Sequence, residues 1–393
     1  MSAPLRIVIL GLSLTSSWGN GHATTYRGLI KELCRRGHEV TFLERDVPWY
    51  AGEHRDMPIP PFGRVHLYRD LAELRARFAR TVAAADLVII GSYVPEGVAV
   101  CRWALSIARG LTAFYDIDAP VTLAKLARGE MDYLSPDLVP RFDLYLSFSA
   151  GPLLERIRRQ FGARRTGILY CSFDPELYFP EAAEIRWRLG YLGTYSDDRQ
   201  PTLTALLIDP ARSLDTRRFV VAGPQYPAGI EWPDNVERID HVPPSAHRAF
   251  YNAQAFTLNV TRGDMVAAGW SPSVRLFEAA GCGVPVISDD WEGLDSLLAP
   301  GEEILIARNA DDVRRYLEEI DEDRRRAIGA AARRKVLAEH SAAARARQLE
   351  DYVAQLREET GKVAPARRRP IPARATERTG NDAERQGQHE RAP

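Results

Sequence analysis

Short apolar runs alternate with segments of helical periodicity over the first 171 residues. We predict strands at the apolar runs, which lie at residues 7–10, 40–43, 86–90, 111–115, 143–147 and 167–171. Helices are predicted between them, for example at residues 24–36, where Gly37 suits the end of a helix. The run at residues 86–90 is almost continuously apolar, as expected for a strand buried on both faces. This alternation predicts an α/β fold, with a parallel sheet covered by helices on both sides.

The alternation stops at residues 172–180, an aromatic and acidic segment with two prolines, and then begins again. Further strands are predicted at residues 189–193, 219–222, 236–239, 255–260, 284–288 and 304–306. We therefore predict two Rossmann-like domains in tandem, at residues 1–182 and 183–340. Residues 341–359 are predicted to form a helix that returns to the first domain. Residues 360–393 are basic and lack apolar periodicity, so we predict that they are disordered.

The charge and cysteine content of the chain limit the binding partners and the cellular compartment that we expect. The formal net charge of −1 provides no overall field for nucleic acid, so we expect no nucleic-acid partner. A weak peripheral membrane contact of the basic tail is an alternative to a merely solvated tail. The four cysteines are scattered, without metal-ligand spacing, which is typical of free thiols in a reducing compartment. Since we also recognise no signal peptide or membrane span, we expect a cytoplasmic protein.

The loop after the first predicted strand carries Gly19, Asn20, Gly21 and His22. Ligands bind beyond the carboxyl ends of strands in open parallel sheets, so we expect this loop to face one. The glycines allow close approach of the backbone, and the following helix N-terminus favours an anion. The spacing is not GxGxxG, which argues against a dinucleotide site. His22 is a candidate general base, and a structural loop histidine is the alternative interpretation.

A second candidate loop carries Asp116 and Asp118 at another predicted strand end. Two carboxylates at this edge are suited to orient a histidine and stabilise its charged form. In the alternative interpretation, Asp118 caps the next helix and Asp116 pairs with a surface base.

The strongest local pattern runs from Gly269 to residue 287. Ser271 is predicted to be the N-cap of a helix and Pro272 its first residue, because both types are favoured there. The free amides of such a helix N-terminus are suited to a diphosphate. Glu278 is predicted about two turns into this helix, where its carboxylate could accept hydrogen bonds from two ribose hydroxyls. The alternative is a surface glutamate on an ordinary helix.

This pattern resembles the donor-site signature of group-1 glycosyltransferases. Residues 277–287, FEAAGCGVPVI, match their "FEA-x-A-x-G-x-PV(I/V)" pattern, and NVTR at 259–262 with PSVR at 272–275 is similar to the spore-maturation-type branch. Residues 172–180 resemble the interdomain "VDP…F-x-P" segment of the family, and residues 37–41 its "GHEVT". The resemblance spans roughly residues 5–356 and excludes the tail.

The resemblance implies a GT-B fold, with two Rossmann-like domains that face a central cleft. The donor, a UDP-, GDP- or dTDP-linked sugar, would bind the C-terminal domain, and a glycan, lipid-linked or small-molecule acceptor the N-terminal domain. The family takes part in processes such as polysaccharide biosynthesis and usually needs no metal and no other cofactor. The implied donor-site residues are Gly193, Thr194, Tyr195, His241, Val242, Arg262, Ser271, Ser273, Arg275 and Glu278.

Within this implied donor site, Glu278 would hold the ribose. Ser273, with Arg275 or Arg262, would face the diphosphate. The loop at 193–195 would lie near the phosphate or sugar, and residues 241–242 near the base.

One position departs from the family pattern. Many retaining members carry a second glutamate eight positions before the ribose glutamate, and here Trp270 occupies that position. His22 with Asp116 or Asp118 resembles the His–Asp pair of inverting GT-B enzymes, so we expect inversion. The oligomeric state is left open.

Two other functions are alternatives to glycosyl transfer. A nucleotide-sugar 2-epimerase has the same domains but would need several catalytic carboxylates in the cleft. A GT-B protein that binds a nucleotide sugar or glycan without catalysis would also accommodate Trp270.

Overall fold

Two parallel β-sheets organise the chain. The computed structural model describes residues 3–18, 21–214 and 216–361, and the predicted disordered tail lies almost entirely outside this described part. The strands of the first sheet are β1 (Arg6–Gly11), β2 (Glu39–Arg45), β3 (Arg64–Tyr68), β4 (Leu87–Gly91), β5 (Leu111–Asp116), β6 (Leu144–Ser147) and β7 (Thr166–Ile168). Those of the second are β8 (Trp187–Leu192), β9 (Phe219–Ala222), β10 (Val236–Ile239), β11 (Gln254–Asn259), β12 (Val286–Ser288) and β13 (Leu305–Ile306).

Helices separate most of these strands. They are α1 (His22–Arg35), α2 (Leu71–Ala84), α3 (Gly97–Ile107), α4 (Ala119–Ala127), α5 (Pro152–Phe161), α6 (Gln200–Leu203), α7 (Asp209–Ser213), α8 (His247–Asn252), α9 (Gly263–Ala268), α10 (Val274–Gly281), α11 (Ala310–Glu319), α12 (Glu322–Glu339) and α13 (Ala342–Thr360). A π-helical turn at Thr204–Ile208 joins α6 to α7. The predicted fold class, two α/β domains with parallel sheets, is confirmed.

The strand order places a crevice in each sheet. The first sheet has the order β3-β2-β1-β4-β5-β6-β7, and the second β10-β9-β8-β11-β12-β13. The direction of strand progression reverses between β1 and β4 in the first sheet, and between β8 and β11 in the second. Ligands of open α/β sheets bind at these switch points, beyond the carboxyl ends of the strands.

The alternating direction of side chains along the strands explains why helices cover both faces of the first sheet. Ile7 and Ile9 point into one apolar cluster, which α1 and α13 cover, while Val8 and Leu10 point into another, which α2 and α3 cover. Successive side chains of a strand point to opposite faces, so a fully apolar strand needs helices on both sides. The last helix, α13, thus packs on the first domain and contacts α1.

Two local predictions were wrong. Strand β3, which contains His66, was missed because a proline-rich segment precedes it and its apolar residues alternate with polar ones. Helix α10 begins at Val274 with Ser273 as N-cap, so Ser271 and Pro272 lie in the preceding extended segment rather than at the cap.

Candidate functional site

A cleft lies where the carboxyl ends of both sheets meet. It encloses a cavity of about 260 Å³. The first domain contributes residues that follow β1, β5 and β6, and the second contributes residues that follow β8 and β11 together with the start of α10. The lining residues are Gly21, His22, Thr25, Ile117, Asp118, Phe148, Ser149, Cys171, Arg199, Val260, Thr261, Arg262, Met265, Ser271, Pro272, Ser273, Val274 and Arg275.

Three guanidinium groups from the C-terminal domain, those of Arg199, Arg262 and Arg275, line this cavity. Arg275 is buried, and its Nε donates to the Leu192 carbonyl oxygen at 2.6 Å. Arg199 donates from Nη2 to the Thr194 carbonyl oxygen at 2.6 Å. Burial lowers the pKa of Arg199, and the positive charges of Arg275 and Arg262 lower it further. So close a group of positive charges, partly desolvated, favours a bound anion.

Arg275 is held in place by a second contact. Its Nη1 donates to Oδ1 of Asn259 at 2.9 Å, and the Ser273 hydroxyl donates to the same oxygen at 2.8 Å. The side chain of Ser273 therefore bonds to the end of β11. Although Ser273 is the N-cap residue of α10, its side chain makes no capping hydrogen bond among the described residues. Val274 and Arg275, in the first turn of α10, line the cavity.

His22 begins helix α1 and lines the cavity from the N-terminal domain. Burial, followed by the charge of Arg262, lowers the pKa of His22 to about 4. The imidazole is therefore neutral at physiological pH, the form that can accept a proton. Of the predicted loop, Gly21 also lines the cavity, whereas Gly19 and Asn20 lie outside the described residues.

The two predicted aspartates have different surroundings. Asp118 lines the cavity, accepts a hydrogen bond from the Tyr93 hydroxyl at 2.7 Å, and lies 3.8 Å from Nη1 of Arg262 across the cleft. It is the N-cap residue of α4 without a side-chain capping bond.

Asp116 is fully buried, at the end of β5. It accepts hydrogen bonds from the hydroxyls of Tyr145 and Thr122 (2.8 Å) and from the amide of Asp118 (3.1 Å). Burial raises the pKa of Asp116 to about 6. The alternative of a surface ion pair is therefore wrong for Asp116. Its bonds make it a support of the β5 loop, and Asp118 is the aspartate that reaches the cavity.

Glu278 is buried in α10, in the C-terminal domain. Tyr251 donates to its Oε2 at 3.2 Å, and Nδ1 of His247 lies 3.9 Å from the same oxygen. Burial raises the pKa of Glu278 to about 7, against hydrogen bonds from Tyr178 and Tyr251 that lower it.

Both expectations about the surroundings of Glu278 need correction. It lies about one turn into α10 rather than two, and it is not a surface residue. Glu278 also does not belong to the cavity lining, and the implied ribose contact stays a prediction.

Comparison with known proteins agrees with this architecture. Residues 199–351 match the family described as "Glycosyl transferase-like". Sucrose-phosphate synthase from Thermosynechococcus elongatus superposes with a TM-score of 0.64 at 15% identity, covering 90% of this chain and 100% of that one. HepE from Anabaena, solved with UDP-glucose, gives a TM-score of 0.64 at 16% identity over 89% of this chain and 100% of that one.

A third solved structure is an alpha-glucosyltransferase in complex with UDP and a 13-mer DNA containing an HMU base. It gives a TM-score of 0.66 at 14% identity, covering 90% of this chain and 100% of that chain. No curated protein matches the chain. These comparisons decide the fold class. The chain has the GT-B fold. The match to the spore-maturation-type branch is not among these findings, and remains an interpretation of the sequence.

The remaining predicted donor-site residues of the GT-B chain lie around the cavity rather than in it. Gly193 is packed so closely against Arg275 that an added Cβ would lie 2.8 Å from its Nη2. Tyr195 donates to Asp197 at 2.6 Å. Thr194 contributes its carbonyl oxygen to Arg199, as described above.

The predicted base-binding residues, His241 and Val242, do not line the cavity. His241 is exposed, and its ring centroid lies 5.1 Å from that of Trp18 in the opposite domain. The carbonyl oxygen of Val242 accepts a hydrogen bond from Nε2 of His247 at 3.1 Å.

Sequence reasoning missed Arg199 and Ser149 as cavity residues. Arg199 had a usable signal, because it follows the loop that leaves β8 at the switch point of the second sheet. Ser149 had none, because its place depends on how the two domains meet. In the part of the chain that the structure describes, no group of acidic, histidine or cysteine side chains has a metal-binding arrangement. No described helix is long and apolar enough to cross a membrane.

Proposed function

We propose that this GT-B protein is a glycosyltransferase that moves a sugar from a nucleotide-sugar donor to an acceptor bound beside His22. The convergence of Arg199, Arg262 and Arg275 on one interdomain cavity carries the proposal. A donor diphosphate bears the charge that such a cluster binds, and the arginine fork matches phosphate oxygens. The match of residues 199–351 to a glycosyl transferase-like family supports the same reaction class.

The donor is proposed to be UDP-linked. HepE and the alpha-glucosyltransferase were both solved with UDP or UDP-glucose, which makes UDP the first nucleotide to test, ahead of GDP and dTDP. In the proposed complex, the diphosphate lies between the three arginines and the first-turn amides of α10. The base lies toward His241, whose ring centroid is 5.1 Å from that of Trp18 in the opposite domain.

Departure of the nucleoside diphosphate requires stabilisation of negative charge. Fixed guanidinium groups and a helix N-terminus supply this where charge develops, without reorganisation during the reaction. We therefore propose that transfer does not depend on a divalent cation, because these groups take the role of one.

His22 is proposed as the general base. Its low pKa keeps the imidazole neutral, and the donor diphosphate would offset the charge of Arg262 that opposes protonation. Asp118 lies in the same cavity and is proposed to stabilise the imidazolium that forms. A base on the acceptor side, with Trp270 in place of the family's glutamate, favours inversion of the anomeric centre.

We also propose that the protein acts in the cytoplasm. Cys34, Cys101, Cys171 and Cys282 are all free thiols, and three of them are buried, as is usual in a reducing compartment.

The test begins with the donor. UDP, GDP and dTDP, each free and as the glucose conjugate, are titrated by calorimetry, and turnover is followed as nucleotide release with pooled glycan and lipid-linked acceptors. Arg199→Gln should weaken UDP binding by roughly 10-fold or more, consistent with the loss of a charge-assisted hydrogen bond. Arg308→Gln is the matched control, because Arg308 is exposed and pairs with Asp290 outside this cavity. Equal affinity of both variants would contradict the proposed diphosphate site.

Chelation tests the metal-free mechanism. Turnover should be unchanged after EDTA treatment, since arginines and helix amides stabilise the leaving group. If EDTA abolishes turnover and Mg²⁺ or Mn²⁺ restores it, a cation is required and that part of the proposal is wrong.

A further inference from the structure

Trp270 lies at the contact between the two domains, next to the proposed donor site. Its φ of 44° is in the left-handed region, which residues other than glycine rarely adopt. Such a conformation persists only where surrounding contacts hold it. The contacts around Trp270 come from both domains.

The backbone of Trp270 bridges the domains. Its amide donates to the Glu292 carbonyl oxygen at 2.6 Å within the C-terminal domain, and its own carbonyl oxygen accepts from the amide of Ala150 at 3.0 Å. One residue further, the buried Ser271 hydroxyl donates to the Ser149 hydroxyl at 2.7 Å. The segment 269–271 is therefore bonded directly to the loop 148–151 that follows β6.

The indole of Trp270 packs closely against two glycines, one from each domain. An added Cβ on Gly151, in the N-terminal domain, would overlap ring carbons Cε3 and Cδ2. An added Cβ on Gly293, in the C-terminal domain, would overlap Cδ1 and Nε1. The indole, called the spacer below, thus contacts a backbone segment of each domain.

The contact between the segment 269–271 and the loop 148–151 lies next to the cavity in both domains. Ser149 and Ser271, which it joins, both line the cavity. Phe148, on the same loop, has its ring centroid 6.1 Å from that of His22. Ser273 and Arg275 follow Trp270 by a few residues on the donor side. A change in the spacer therefore displaces the acceptor side relative to the donor side.

We propose that Trp270 is a positioning residue that holds the acceptor-side loop 148–151 at a fixed distance from the donor-side segment 269–275. The role rests on the proposed transferase function, in which a base and a donor must meet across the cavity. Misplacement of reacting groups by about 1 Å can reduce a rate by about 10²-fold, which makes such a spacer effective. Trp270 itself does not line the cavity and is not assigned a contact with substrate.

The kinetic test compares Trp270→Ala and Trp270→Phe with Trp291→Phe. Trp291 is a buried indole in the same domain and the same apolar cluster, and its ring nitrogen makes no hydrogen bond to the 148–151 loop among the described residues, so it controls for loss of indole packing. We expect Trp270→Ala to lower kcat for transfer roughly 10–100-fold while KM for UDP-glucose changes less than about threefold. Trp270→Phe, which keeps a flat ring, should retain kcat within about fivefold, and Trp291→Phe should be near wild type. A near-normal kcat for folded Trp270→Ala, or an equal loss in Trp291→Phe, would overturn the proposal.

A distance measurement separates this proposal from the proposed function. Spin labels are attached to cysteines introduced at the exposed Arg159 in α5 and Glu302 in the C-terminal domain, in a Cys34→Ser background. The interdomain distance distribution should broaden in Trp270→Ala and stay narrow in Trp291→Phe. An unchanged distribution overturns the spacer role. Broadening in a protein whose wild type turns over no nucleotide sugar would uphold the spacer and reject the transferase.

Discussion

At the scale of single residues, Glu278 is a carboxyl group whose charged form is disfavoured by its surroundings. Its pKa is raised to about 7 by burial, above the usual value of 4.5. A raised pKa in the folded state favours the protonated form, so the stability linked to this group is fully present below about pH 4.5 and is lost as pH rises through about 7. At about 1.4 kcal/mol per unit, the loss amounts to about 3 kcal/mol.

Glu278→Gln should remove this pH dependence, because the amide keeps an oxygen for Tyr251 without a titratable proton. Denaturant unfolding at about pH 4.5 and about pH 8 should show the variant gaining about 2–3 kcal/mol relative to wild type at the higher pH. The exposed Glu302→Gln serves as the control. Parallel stability profiles for Glu278→Gln and wild type would show that Glu278 is not buried as described.

His22 is the residue whose protonation the proposed mechanism uses. Because its pKa is lowered to about 4, the neutral base is present above about pH 4 and is lost as pH falls through that value. His22→Ala should lower kcat by about 10²–10⁴-fold, the usual contribution of a positioned base, with donor affinity nearly unchanged. Proton NMR of the product should show an inverted anomeric configuration. A retained configuration, or near-normal turnover of the variant, would leave His22 with a structural role.

At the scale of elements, the helices and strands were the most predictable part. Strand β1 is indicated by an apolar run because it is buried on both faces, and helix α2 by helical spacing because it buries one face. The cap of α10 was misplaced by two residues, since the hydroxyls of Ser271 and Ser273 bond to the other domain and to Asn259 rather than to helix amides. The general preference of serine for helix caps carries no information about these tertiary partners.

Helix α13 links the end of the described chain to the first domain. Leu349 is 1% exposed and belongs to the apolar cluster that α1 and β1 share. Leu349→Ala should therefore lower the free energy of unfolding by about 2–5 kcal/mol, as expected for a truncated core leucine. Leu177→Ala, at a leucine that is 52% exposed, should cost far less and provides the control. Equal melting temperatures for the two variants would show that α13 does not contribute to the core.

At the scale of the whole molecule, the cleft could be predicted only in outline. The tandem αβ pattern and the signature at residues 277–287 indicated two facing domains and a donor side. The burial of Glu278 could not be predicted, since its partners Tyr178 and Tyr251 come from the crossover segment and from α8. The position of Asp118 opposite Arg262 likewise depends on how the two domains meet.

The near-neutral chain concentrates positive charge in the cleft, and this gives a prediction for the whole molecule. The formal net charge is −1, so long-range attraction of the protein for an anionic nucleotide is small and binding must depend on the local arginines. Arg262 is half exposed and lies 3.8 Å from Asp118, so salt screens its interaction with a ligand more than that of the buried Arg275.

The dissociation constant for UDP should rise several-fold between about 0.05 M and about 0.5 M NaCl, as the Debye length falls from about 14 Å to about 4 Å. Arg262→Gln should bind UDP more weakly at low salt and should show a smaller rise, because the screened charge is absent. Arg308→Gln should follow the wild-type salt dependence. Calorimetry that finds UDP binding insensitive to salt, or an Arg262→Gln variant with the full wild-type dependence, would mean that the diphosphate does not lie beside Arg262.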